Sequence, residues 1–295
     1  MSLRTPVVVT GAGGFIGTRL LGQLASIGVE PVSWTRATGD LRDRAAVQRE
    51  ITRVRPLTVF HLAASPGTST EPGEVLAAGE VAMVENLVAA LDGDAQLICT
   101  GTMAEFGYGG TFDESAPRRP VSNYGIAKAA ASDHAVASMQ HGDIDVRLAR
   151  LFGVYGPGEP DHRLIPHVVR HLVAAKPVPL SDGAQVRDFV HVDDVCDRLI
   201  AFAAIDQARD SILNIGTGLG VSVRQVCETA CAMMGADPTL LGFGELPRRA
   251  VDEDVLVADT TALARLGAVP EQHWLSTHSG LAHEFVHQLV DQFTR

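Results

Sequence analysis

Over the first 155 residues, short runs of β-branched and aliphatic residues alternate with longer amphipathic stretches. The apolar runs at 6–10, 31–35, 57–63, 95–101 and 145–152 predict strands, and the segments near 15–27, 43–54, 74–91 and 122–141 predict helices between them. A strand that is apolar on both sides needs cover on both faces, so the alternation implies a parallel sheet with helices above and below. Right-handed crossovers then make it doubly wound, an α/β fold.

Past residue 155 the alternation stops. Proline and glycine gather at 156–160, 177–183 and 216–220. The expected organisation is a larger lobe over 1–155 with returning segments near 190–216. A smaller substrate-binding lobe is expected to be built mainly from 156–189 and 217–295. No internal repeat or low-complexity tract interrupts the chain.

Composition narrows the function. The chain has 295 residues, 46% hydrophobic and 20% charged, with a formal net charge of −11. That balance suits a globular protein and argues against a nucleic-acid partner, which needs a basic face. It leaves room for an anionic small molecule held by backbone amides and a few local arginines. The start of the chain lacks the shape of a signal peptide, and no segment is apolar enough to span a bilayer, so no membrane partner is expected. The four cysteines (Cys99, Cys196, Cys227, Cys231) lack CxxC spacing. They read as packed free thiols in a reducing, cytoplasmic setting, although Cys227 and Cys231 are four apart on an expected helix.

The first strand runs into VVVTGAGGFIGTRLL, which sets Gly11, Gly14 and Gly17 between a strand and a helix and puts Phe15 and Ile16 at the helix start. A glycine turn in that context brings the backbone close to a pyrophosphate, which the helix N-terminus then meets: the dinucleotide site of a Rossmann sheet. The end of the second strand reads Trp34-Thr35-Arg36, with no acid before Asp40. A carboxylate there would accept the adenosine ribose of NAD. Its absence, with Arg36 as a partner for an extra phosphate, points to NADP(H), and NAD(H) is the alternative.

The chemistry-bearing stretch is SNYGIAKAA, where Tyr124 and Lys128 share one helix face. An ammonium beside a phenol favours phenolate, which turns the tyrosine into a usable acid or base. Alone, the pair is common on helices. Thr102, after the fourth predicted strand, places a hydroxyl at the carboxyl edge of the sheet, where α/β proteins bind ligands.

Taken with GDLRD at 39–43, VFHLAA at 59–64, TGTMAEFG at 100–107, RLFGVYGPG at 150–158, QVRDFVHVDD at 185–194 and LNIGTG at 213–218, the sequence resembles the extended short-chain dehydrogenase/reductases. These are the NAD(P)-dependent nucleotide-sugar epimerases, dehydratases and reductases, and the resemblance spans nearly the whole chain. It implies catalytic roles for Thr102, Tyr124 and Lys128, and cofactor contacts from Asp40, Leu41, Leu62, Ala63 and Ala64. It also implies a nucleotide-sugar diphosphate bound by Arg187 with Arg248 or Arg249, and a homodimer formed through the helices near 74–91 and 122–141.

Three departures refine the expectation. Dehydratases of this family carry Asp-Glu after the catalytic threonine, whereas Met103 and Ala104 stand here. The asparagine often found before VYGP is Gly153, and the asparagine usual in the third crossover helix is Glu80. The first departure disfavours a dehydratase; the other two bear on the family's usual substrate pose and not on the cofactor site. The expected reaction is NADP(H)-dependent reduction of a nucleotide-linked 4-keto-6-deoxysugar with Tyr124 as proton donor, and a redox-neutral NAD-dependent 4-epimerase is the alternative. A dinucleotide sensor without turnover is a different class. So is a zinc hydrolase, suggested by HEFVH at 283–287. That motif lacks a convincing third ligand downstream and lies on a four-residue apolar repeat (Leu281, Phe285, Leu289, Phe293), so no metal is expected.

Overall fold

The structure, a computed structural model, describes residues 3–65, 70–140, 144–248, 252–267 and 283–294, with backbone alone for 283–285. Along the first half run β1 (Val7–Thr10), α1 (Phe15–Ser26), β2 (Val32–Trp34), α2 (Arg44–Val54), β3 (Thr58–His61), α3 (Gly73–Ala90), β4 (Gln96–Thr102), β5 (Gly110–Phe112), α4 (Asn123–Met139) and β6 (Asp145–Leu151). The second half adds β7 (Gly153–Tyr155), α5 (Leu164–Val173), β8 (Val178–Leu180), β9 (Val186–His191), α6 (Val192–Ala204) and β10 (Ile212–Ile215). It ends with β11 (Gly220–Ser222), α7 (Val223–Met233), β12 (Leu241–Phe243), β13 (Val255–Ala258), α8 (Thr261–Arg265) and α9 (His283–Thr294).

The main sheet has the order β10-β6-β4-β3-β1-β2, and every pairing in it is parallel. Strand periodicity explains its two faces. Val7 and Val9 of β1 pack with Leu20, Leu24, Val195 and Leu199 from α1 and α6, whereas Val8 packs with Val47, Val84 and Leu87 from α2 and α3. Both faces are thus buried, which is why the first-half strands read as unbroken apolar runs. From β1 the chain moves outward to β2 and then returns to β3 on the other side. The switch point between β1 and β3 therefore opens at their carboxyl ends.

Local sequence sets the element boundaries. Asp43 starts α2 by accepting hydrogen bonds from the Ala45 and Ala46 amides, and Ser122 starts α4 by accepting one from the Gly125 amide at 3.0 Å. A second sheet, in the order β11-β9-β13-β5 with β7 also on β9, draws β5 from the first half. Among the described residues no helix is long and apolar enough to cross a membrane.

Candidate active site

At the end of β1 the chain turns at Gly11, whose φ of +64° is left-handed; a Cβ there would lie 2.6 Å from the Ala63 amide nitrogen. The Gly14 amide closes the turn on the Gly11 carbonyl at 2.9 Å. Gly14 caps α1 without a side chain, and no acidic residue occupies the first turn, so the leading amides of α1 are turned out with no negative charge beside them. A cavity of about 680 Å³ begins there and runs along α1, lined from Gly13, Gly14 and Gly158 past Thr18 and Gln23 to Ser26. This cradle fits a dinucleotide pyrophosphate. Ile16 and Phe15 are half-buried at the head of α1; Leu62 and Ala63 are half-buried and Ala64 exposed on the loop leaving β3.

Beyond β2, Arg36 is exposed. The neighbouring Asp40 carboxylate is held by the Arg42 guanidinium, with Nη2 at 2.7 Å and Nε at 3.0 Å. That pairing, with help from Arg36, brings the Asp40 carboxyl down to about 2. Two arginines therefore flank this end of the sheet, and the one carboxylate between them is already neutralised. Leu41 is buried, and its carbonyl accepts from Asn86 Nδ2 at 2.9 Å.

Thr102 ends β4. Its hydroxyl oxygen accepts from the Ala104 amide at 3.3 Å, which leaves the hydroxyl hydrogen available to a ligand oxygen. Glu105 fixes the arrangement: its fully buried carboxylate accepts from the Thr102 amide at 2.9 Å, from the Ser132 hydroxyl at 2.9 Å, and from Arg118 and Arg150. The capping-box spacing from Thr102 to Glu105 carries this signal in the sequence. α4 packs against the turn at Met103–Glu105 and brings Tyr124 and Lys128 to the same edge.

Lys128 is buried, with the Glu80 carboxylate of α3 at 3.6 Å. Burial disfavours the ammonium, but Glu80, aided by Tyr124, Glu105 and Cys99, more than offsets it and raises the Lys128 pKa. Tyr124 departs from the sequence expectation of a lowered phenol. Burial raises it above its ordinary value; Lys128 opposes this, Glu80 and Glu105 reinforce it, and Arg163 opposes it. The physical reason is first burial of the phenol, which outweighs the ammonium, and then Glu80, whose charge offsets part of the ammonium's field. Nearby, burial holds His61 down to about 3, so it stays neutral in its 2.8 Å bond with Thr10, and burial pushes the Cys99 thiol up to about 12.

Arg187 on β9 donates to Asp252 at 2.5 Å and to the Val186 carbonyl at 2.8 Å. Arg248 donates to Asp182 and Asp254, each at 2.7 Å. The structure thus ties both arginines to one acidic segment, and a diphosphate would compete with those carboxylates. Arg249 lies outside the described residues. Arg163, which the sequence reading missed, sits before α5 on the Tyr124 side, 3.3 Å from Glu159. Glu159 and Arg163 lie in the turn before α5, where no periodic pattern marks them. At Gly153, where the asparagine is expected, a Cβ would meet the Asp188 carbonyl at 2.6 Å, so this backbone leaves no room for that side chain.

The remaining chemistry-bearing residues lie apart. Cys227 and Cys231 are buried free thiols facing the α7 core. On α9, Val286 and Leu289 are buried while His287 is exposed, so that histidine points away from the core; the side chain of His283 and all of Leu281 lie outside what is described. Among the described residues no histidine, cysteine and carboxylate group gathers in a way that could hold a metal.

Residues 7–216 match the model of the NAD dependent epimerase/dehydratase family. The chain belongs to that family. It is similar to dTDP-6-deoxy-L-talose 4-dehydrogenase (NAD(P)(+)) of Kitasatospora kifunensis, 32% identical over 75% of this chain and 77% of that protein. Among solved structures it is similar to MoeE5 in complex with UDP-glucose and NAD, at 30% identity, with 99% of both chains covered and a TM-score of 0.81. It is also similar to DesIV, the dTDP-glucose 4,6-dehydratase from Streptomyces venezuelae with NAD and TYD bound, at 26% identity, covering 98% of this chain and 96% of that one, with a TM-score of 0.83. This family member is an NAD(P)-dependent enzyme of nucleotide sugars.

Proposed function

We propose that the enzyme reduces a nucleotide-linked 4-keto-6-deoxysugar with NADPH. The observation that carries this reading is the pairing of a hydroxyl donor, Thr102, with a phenol held in its protonated form, Tyr124, in a site where Met103 and Ala104 replace the acids a dehydration needs. When bound, the reduced nicotinamide supplies the hydride that the ketone carbon accepts. Tyr124 gives its phenolic proton to the ketone oxygen, so C=O becomes CH–OH. Thr102 donates a hydrogen bond to the same oxygen, and the Lys128 ammonium stabilises the phenolate left on Tyr124 and would hold the nicotinamide ribose. The likeness to a 4-dehydrogenase supports this, since reversing a 4-dehydrogenation reduces a 4-ketone.

Arg36, with Asp40 already neutralised by Arg42, favours NADPH over NADH. Arg36→Ala is expected to raise KM for NADPH roughly 10- to 100-fold, the worth of one charge-assisted hydrogen bond, and to leave KM for NADH nearly unchanged. Equal effects on the two cofactors would remove Arg36 from the phosphate site.

Stopped-flow oxidation of NADPH against a panel of 4-keto sugar nucleotides tests the reaction. The expected result is one NADPH consumed per ketone reduced. The second reading, a 4-epimerase, is favoured by the NAD-bound relatives; it predicts interconversion of 4-hydroxy sugars with no net cofactor consumption. We further propose a cytoplasmic homodimer formed across α3 and α4.

A further inference from the structure

Glu80 is 1% exposed, in the middle of α3, at a position where the resembling enzymes usually carry asparagine. Its Oε1 accepts from the Ser65 amide at 2.5 Å, which fixes the loop leaving β3. Its Oε2 has no hydrogen bond among the described residues and lies 3.6 Å from the Lys128 ammonium. A buried carboxylate oxygen without a donor is costly unless a cation answers it, so Glu80 and Lys128 are an obligate couple. A neutral amide could accept a hydrogen bond but could not answer the Lys128 charge, so the carboxylate does something that an amide does not.

We propose that Glu80 is a positioning residue: its carboxylate is the counter-charge of Lys128, taking a share of the ammonium that would otherwise act on Tyr124 alone, and so keeping the phenol a proton donor. The proposal rests on the reading of Tyr124 as the acid in the reduction. It names the direction in which the site is poised, towards protonation of an oxygen and away from removal of a proton.

The groups around the couple come from five elements or their flanks. Lys128 faces Glu80 on α3, Glu105 after β4, Cys99 in β4 and His61 in β3, besides Tyr124 on its own helix. Tyr124 faces Lys128, Glu80, Glu105 and Arg163, the last from the residue before α5. Of the two carboxylates, Glu105 is already engaged by Arg118 and Arg150, which leaves Glu80 as the one whose cation is shared with the phenol.

The sign follows. A phenol stabilised in its protonated form donates its proton up to high pH, and removing the nearby negative charge makes phenolate easier to form. In Glu80→Gln, which retains an acceptor for Ser65, the alkaline limb of kcat/KM for reduction is expected to move to lower pH by roughly one unit, the effect of one charge several ångströms away at an effective dielectric near 20. The reverse oxidation, which needs phenolate, is expected to gain several-fold at pH 8. Glu80→Asn should do the same. NADPH affinity, read by fluorescence, should change little in either.

A limb that stays in place or moves upward in both variants overturns the proposal. Should neither variant fold, the native enzyme still tests it: a limb near neutrality overturns the counter-charge, and one at or above the ordinary tyrosine value is what burial and the counter-charge together require. Tyr124→Phe is the separate control. If it turns over normally, the function proposed above fails, whatever Glu80 does.

Discussion

Tyr124→Phe is expected to lower kcat for ketone reduction by about 10²–10⁴-fold, the span that a positioned general acid contributes, while NADPH binds as before. Phenylalanine keeps the ring that packs at the head of α4 and loses only the oxygen. The phenol is the group that Lys128, Glu80, Glu105 and Arg163 all act on, so its loss removes the proton without removing the pocket. A solvent proton relayed to the ketone would be slower, since Thr102 can donate a hydrogen bond but is far too weak an acid to give up its hydrogen. Measured together, single-turnover hydride transfer and NADPH fluorescence separate the two outcomes. Undiminished transfer in this variant would take Tyr124 out of the mechanism.

Gly11→Ala is expected to damage the cofactor cradle through both its backbone conformation and a close contact. The φ of +64° costs an L-residue roughly 1–2 kcal/mol, and the 2.6 Å approach to the Ala63 amide adds overpacking of about 1–3 kcal/mol, because the neighbour is backbone and cannot swing away. A loss of about 3 kcal/mol would lower Tm by roughly 6–10 °C in a chain of this size. Relaxing the clash also pushes β1 and the β3 loop apart, which pulls the α1 amides from their place. NADPH affinity is therefore expected to fall at least tenfold. A variant that melts and binds like the native protein would show that the turn is not tight.

The doubly wound half of the fold was legible because each strand there is buried on both faces and each helix has one apolar side. The five strands and four helices expected before residue 155 all form, with ends within two residues of expectation. β5 was not legible: three residues beginning at Gly110 make no run, and the partner that stabilises it, β13, lies far along the chain. The same limit applied to the site. The glycine turn and the Tyr124–Lys128 spacing are local patterns and could be read. The direction at Tyr124 could not, because it depends first on how deeply the phenol is buried and then on Glu80, which stands 44 residues upstream and reaches Lys128 only once α3 and α4 pack. Likewise Asp252 reaches Arg187 and Asp182 reaches Arg248 from more than sixty residues away in the sequence.

β10 completes the main sheet from a segment near residue 215, long after its neighbour β6 has been made. On the ribosome, the nascent half-sheet therefore waits with one flank of β6 unpaired for roughly several seconds at about 5–20 residues per second. During that interval the bare flank can recruit any extended chain that drifts past. Vectorial synthesis thus leaves this protein a window in which a holdase matters more than in the finished molecule, and a nascent chain arrested before Ile212 is the species in which to look for it.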